Sequence, residues 1–199
     1  MLTGETPVVI DGPVGQLEAL YLDSAEPRGL ALLCHPNPVQ GGTMMNKVVS
    51  TLQRTARDAG LVTLRFNYRG VGASAGSHDM GTGEVDDALA AARWLRAQYP
   101  DLPLTLLGFS FGGFVAASLG GRLEAEGVKL AHLFMVAPAP VKAATIWAPA
   151  KSTMRWPPLA GCVPNTLTCR SLCSVFRSVV LLLPASAAGL KLKASSCRG

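Results

Sequence analysis

Along the first 137 residues, the spacing of apolar positions alternates between short continuous runs and a three-to-four-residue repeat. Gly29–Cys34 (GLALLC), Leu61–Phe66 (LVTLRF), Pro103–Leu107 (PLTLL) and Leu130–Val136 (LAHLFMV) are dominated by apolar residues, with little polar alternation. Such runs suit strands covered on both faces. Pro7–Ile10 and Gln16–Leu22 predict two further strands joined by a turn over Asp11–Gly15. Met45, Val48, Val49, Leu52 and Ala56 fall at helical spacing, with Thr43 as the predicted cap and Gly60 as the stop. Glu84–Gln98 predicts a second helix, with Glu84, Asp86 and Asp87 where negative charge complements the helix dipole. From Gly113 onward, Phe114, Val115, Ala117, Ser118 and Leu119 predict a third helix packed closely on a sheet. A hairpin followed by β-α-β-α-β-α-β predicts an α/β fold in one domain, an open and mostly parallel sheet with helices on both faces.

Sheets of this kind bind ligands at the carboxyl ends of their strands. The loop after Leu107 carries G-x-S-x-G at Gly108, Ser110 and Gly112, between a buried strand and a helix of small residues. That context predicts a nucleophile elbow, in which Ser110 sits on a sharp strained turn and the glycines let neighbouring backbones approach. The loop after Cys34 reads CHPNPVQGGTM. Pro36 and Pro38 have no N–H, so Asn37 is placed to donate one oxyanion hydrogen bond beside the N–H of Phe111. The same residues also fit a rigid proline turn with no catalytic duty, and His35 fits a structural hydrogen bond at the loop base. In the loop Phe66–Glu84, Arg69 could meet a substrate carboxylate, although an ordinary loop ion pair fits it better. His78 and Asp79 have the types of a base and its orienting acid, but adjacent residues rarely aim at one another.

These motifs carry a resemblance. CHPNPVQGGTMMNKVV, RFNYRGVGASAG, GTGEVDDALAAARWL and LLGFSFGGFVAA, in that order between about Gly29 and Pro138, resemble the α/β-hydrolase superfamily, and within it a group of small bacterial hydrolases. Asn37 is a departure, since a second histidine is expected there. The resemblance implies an α/β-hydrolase fold and acyl-bond hydrolysis of a small-molecule substrate. It also implies a triad of Ser110, an acid and a histidine in that chain order. No aspartate follows Ser110, Glu124 and Glu126 precede the next strand, and the only later histidine, His132, starts that strand at the end opposite the site. The chemistry calls for no cofactor, and no phosphate loop, dinucleotide fingerprint or metal-ligand spacing is present in the sequence.

Composition breaks near Pro138. Residues 1–137 hold all 13 acidic residues and carry a net charge of −3, whereas 138–199 carry +8. The basic balance therefore belongs to the tail and does not argue for nucleic-acid binding. Cys162, Cys169, Cys173 and Cys197 also lie in the tail, at spacings that match no paired zinc site and with no histidine to complete one. The chain shows no signal-peptide pattern, which predicts a cytoplasmic protein, and Val179–Leu183 is too short to span a bilayer. Two units are expected: a hydrolase core over 1–137, and an atypical tail over 138–199 that leaves the fold incomplete or irregular at that end. If the tail adds no strand, Leu130–Val136 is an open edge that SVVLLL could cover, although nothing in its spacing demands it.

The favoured explanation is a tail out of register with its relatives, through a frameshift, a sequencing error or an aberrant fusion. The competing one is a natural basic tail that binds membrane or an acidic partner. Translation of the coding DNA in its other two frames is expected to recover an Asp-bearing strand end and a later histidine, and failure to find them sinks the frameshift.

Overall fold

A computed structural model describes residues 4–137, 179–184 and 193–195. The rest of the tail, including its four cysteines, lies outside the described residues. The strands are β1 (Thr6–Gly12), β2 (Gly15–Leu22), β3 (Gly29–Cys34), β4 (Leu61–Phe66), β5 (Leu104–Phe109), β6 (Leu130–Ala137), β7 (Val179–Pro184) and β8 (Lys193–Ser195). Three helices alternate with them, α1 (Lys47–Asp58), α2 (Thr82–Gln98) and α3 (Phe111–Ala125). The sheet order is β1-β2-β4-β3-β5-β6-β7-β8.

The parallel part is the centre of the sheet, β4-β3-β5-β6. The β1–β2 hairpin joins one side antiparallel, through β2 against β4. On the other side β7 runs antiparallel to β6, from Ala137↔Val179 to His132↔Pro184, and β8 follows. The apolar run of the tail thus covers the β6 edge. Its direction could not be foreseen, because an apolar run without polar alternation carries no register signal.

Residue alternation on the central strands sorts the helices onto the two faces. Leu30, Leu32 and Cys34 share one core with Ala88, Ala92 and Leu95 of α2 and Val115, Leu119 and Leu123 of α3. Ala31 and Leu33 point the other way, into a second core with Val49, Leu52 and Ala56 of α1. The cap of α1 is Asn46, whose side chain accepts the Val48 N–H at 2.9 Å, and not Thr43 as the sequence suggests. Thr43 instead accepts the Met45 N–H one turn earlier (3.2 Å), since both residue types serve this purpose and spacing alone cannot rank them.

The α1 side of β4 is polar. Arg65, 1% exposed, makes a bidentate pair with Glu5 at 2.7 and 2.6 Å. Its remaining nitrogen donates to the Met44 carbonyl and the Ser50 hydroxyl, both at 2.9 Å. One buried guanidinium thus ties the chain before β1 to the loop and first turn of α1. Breaking such a pair from one side strands a buried charge, whereas replacing both partners by apolar residues can be neutral. Glu5→Ala is therefore expected to cost about 3–5 kcal/mol in urea unfolding. The double variant Glu5→Leu/Arg65→Met should recover most of that loss.

Candidate active site

Strand β5 ends at Phe109 and α3 begins at Phe111, so one residue, Ser110, makes the whole turn between them. Its backbone lies at φ 55°, ψ −116°, a conformation that costs a side-chain-bearing residue about 1–3 kcal/mol. The Ser110 N–H donates to the Val136 carbonyl at 2.8 Å, and its own carbonyl accepts the Gly113 N–H at 2.9 Å. A Cβ at Gly108 would overlap the Gly112 carbonyl, and one at Gly112 would overlap the carbonyls of Cys34 and His35. The first turn of α3 is therefore pressed against the end of β3. Phe111 is the first residue of that helix, so its N–H belongs to the set of donors that face out of a helix end.

On the β3 side, His35 is fully buried. Its Nδ1–H donates to the Pro36 carbonyl at 2.7 Å, Nε2 accepts the Tyr68 N–H at 3.2 Å, and the ring packs 4.1 Å from that of Tyr68. Burial lowers its pKa from the usual 6.5 to about 4, so it is neutral and both nitrogens are engaged. Asn37 starts the one-turn helix Pro38–Gln40, with its side chain accepting the Val39 N–H at 2.9 Å. Cys34 is buried beneath, where desolvation pushes its thiol up to about 12, so it is a poor nucleophile.

On the β4 side, the Arg69 guanidinium forks onto Asp87 at 2.8–3.2 Å, and its N–H donates to the same carboxylate at 2.9 Å. Arg69 is thus committed to holding its loop on α2. His78 does not pair with Asp79. Its Nδ1 lies 2.7 Å from the buried Glu84 carboxylate, while Asp79 faces Arg69 at 3.9 Å. Burial alone would raise the Glu84 pKa, but the N–H groups of Asp79, Glu84 and Gly81 together with His78 hold it below the usual carboxylate range. Sequence reasoning places Glu84 in the first turn of α2 but misses its role as the anchor of the loop 78–81. Its position three residues after Gly81, the N-cap of α2, is the spacing of a capping box and was the available signal.

His132 lies on β6 opposite Thr105, five residues before Ser110, which is about 16 Å along a strand. A depression of about 500 Å³, lined by Arg96, Asp101, Leu102, Glu126 and Lys129 among others, opens near the amino ends of β5 and β6, the edge opposite Ser110. No His/Cys/Asp/Glu cluster suited to a metal ion occurs among the described residues. No described helix is long and apolar enough to cross a membrane.

A parallel centre in the order β4-β3-β5-β6, with a serine on the β5–α3 turn, defines the α/β-hydrolase fold, and the chain resembles that superfamily. The thioesterase-domain family model matches residues 83–180, a span that runs past the composition change at Pro138. An α/β serine hydrolase of Xanthomonas campestris, described as lacking a lid, superposes with a TM-score of 0.57 at 44% identity, over 62% of this chain and 59% of that one. An α/β serine hydrolase homologue from Coxiella burnetii gives 0.57 at 42% identity, over 60% and 59%. An uncharacterized protein of Rickettsia prowazekii (strain Madrid E) is 43% identical over 114 residues, 56% of this chain. The chain spans 48% of that relative's length.

The buried, neutral His35 has a stability consequence. Its pKa is depressed in the folded state, so its contribution is complete above about pH 6.5 and is lost as pH falls toward about 4, where the unfolded chain binds a proton that the fold refuses. The loss amounts to about 3 kcal/mol. A series of urea titrations between pH 7 and 4 should show this slope, and His35→Gln should flatten it.

Proposed function

We propose that this chain is a serine hydrolase acting on an ester or thioester of a small-molecule acid, with Ser110 as nucleophile. The observation that carries the reading is the strained backbone of Ser110 at the β5–α3 turn. Strain of this kind persists where the surrounding structure enforces it, and here two glycine contacts do so. This geometry supports the reading of the turn as a nucleophile elbow. The thioesterase-domain match and the serine hydrolases among the solved structures support the same chemistry.

In this reading the Ser110 hydroxyl loses its proton to a base and attacks the acyl carbonyl, forming a tetrahedral oxyanion. The N–H groups of Phe111 and Asn37 hold that oxygen, and the alcohol or thiol leaves with a proton. Water then attacks the acyl-serine, the serine recovers its hydrogen, and the acid is released. This route requires no cofactor, no metal and no nucleic-acid partner. Gly108 and Gly112 keep the turn tight, while His35 and Arg69 hold the loops on either side.

The base is the open element, and it motivates a second reading. Of the three histidines, His35 has both nitrogens occupied and His132 lies far down β6. His78, whose ring centroid is 5.9 Å from that of Phe111, faces Glu84 through Nδ1 at 2.7 Å, and no aspartate follows Ser110. A hydrolase fold that binds acyl groups without turnover fits these facts. Fluorophosphonate labelling of the purified chain separates the two. The serine-hydrolase reading expects stoichiometric labelling at Ser110 that drops to background in Ser110→Ala. A folded chain that takes no label favours the binding protein.

A further inference from the structure

Ser110 is not the only strained residue at this edge of the sheet. Among the described residues, the one other non-glycine at positive φ is Met80, at φ 51°. Glycine would hold that backbone with less strain. Packing does not account for the methionine either, because Met80 is 72% exposed. Nor is the segment loose. The N–H groups on both sides of Met80, those of Asp79 and Gly81, donate to the buried Glu84 carboxylate at 2.8 and 2.7 Å. A rigid and strained backbone thus presents a long apolar side chain to solvent, the combination expected of a functional contact.

The neighbours of Met80 show what it faces. A Cβ at Gly81 would lie 2.9 Å from the Phe114 ring and 3.8 Å from that of Phe111, so the Met80–Gly81 segment rests against the start of α3. Phe114 is 41% exposed and sits one helical turn from Ser110, on the same side of the helix. The Phe111 and Phe114 rings are 6.1 Å apart. Among the charged groups of the adjoining loop and helix, Arg69 and Asp87 are turned inward against each other, while Asp79, beside Met80, is exposed and faces Arg69 at 3.9 Å. Two exposed apolar side chains, Phe114 and Met80, therefore stand near the serine turn.

We propose that Met80 and Phe114 form the acyl-chain contact of this site, a ledge beside Ser110 that takes the unbranched hydrocarbon chain of a medium-length acyl group. The assignment rests on Ser110 being the point of acyl attachment. An acyl group bonded there, with its oxygen turned to the Phe111 N–H, has this ledge within one helical turn. A second copy of the chain is a poor occupant. Two side chains expose no more than about 300 Å², well short of the roughly 1,000 Å² that a specific interface needs.

Met80→Gly is the informative variant, because glycine adopts the left-handed backbone without strain and the fold should survive the loss of the side chain. The experiment compares labelling rates of the full chain with ethyl and octyl fluorophosphonates, alongside displacement of a fluorescent fatty acid by octanoate, the latter also in Ser110→Ala. Burying one methylene is worth about fourfold in affinity, so partial cover of a six-carbon difference predicts an octyl preference of about tenfold or more. That preference should fall to about twofold in Met80→Gly and return in Met80→Leu. A preference unaffected by Met80→Gly overturns the ledge while leaving Ser110 as nucleophile. If a folded chain takes neither label, the nucleophile reading fails and octanoate binding decides the ledge. Octanoate displacement that Met80→Gly weakens several-fold upholds it, and absent or unaffected displacement overturns it. A shift from dimer to monomer in Met80→Gly, seen by sedimentation, would make the patch a contact between copies and also overturn the proposal.

Discussion

The close approach of α3 to the end of β3 is the constraint around which the rest is arranged. It exists because Gly112 has no side chain to strike the Cys34 and His35 carbonyls, and because Gly108 has none to strike Gly112. With those contacts made, α3 must start immediately above β5, and only Ser110 is left to make the turn. Its N–H bond to Val136 ties the turn to β6 as well. One contact between backbones thus sets three adjacent strand ends and the first turn of a helix relative to one another. Adding a single methyl group at Gly112 would separate them, because the obstructing atoms are backbone carbonyls that no rotamer change can move.

The loops around that contact are held mainly by buried polar groups. Asn67 accepts the Met44 N–H at 2.8 Å and donates to Glu18 at 2.8 Å, linking the β3–α1 loop to β2. Glu18 in turn accepts the Ala73 N–H at 2.9 Å. Asp87 fixes Arg69, and Glu84 fixes the segment 78–81. Each carboxylate receives two or more donors, and these hydrogen bonds offset the cost of drawing it from water. The result is a rigid carboxyl edge in which a strained residue such as Met80 can persist.

What could be read from the chain, and what could not, divides along this same line. GLALLC was legible as a buried strand because covering both faces removes polar alternation, and α1 was legible because one face alone is apolar. LVTLRF was legible from its apolar majority, although Thr63 and Arg65 make its α1 side polar. The serine turn was legible because its serine and both glycines fall within five consecutive residues, although the carbonyls that Gly112 approaches lie at Cys34 and His35. Partner choice among polar residues was not. His78 is followed by Asp79 in the sequence but meets Glu84 in space, because the turn through Met80 and Gly81 swings the start of α2 back over it. Thr43 and Asn46 are equally good caps on paper, and the geometry of the preceding turn decides between them. The antiparallel direction of β7 depends on a connection that lies outside the described residues.

The same distinction bears on how such a site gains or loses chemistry. The turn, its two glycines and the helix end behind it are encoded within β3, β5 and α3, and they assemble whenever the sheet does. A general base has no such local code, since it must be delivered from another part of the chain to within about 3 Å of the serine. An altered tail can therefore leave the strained turn intact while removing the group that would activate it. Substrate binding need not follow the base. A ledge built from α3 and the Glu84-anchored loop belongs to the locally encoded half of the site, so acyl recognition can outlast turnover.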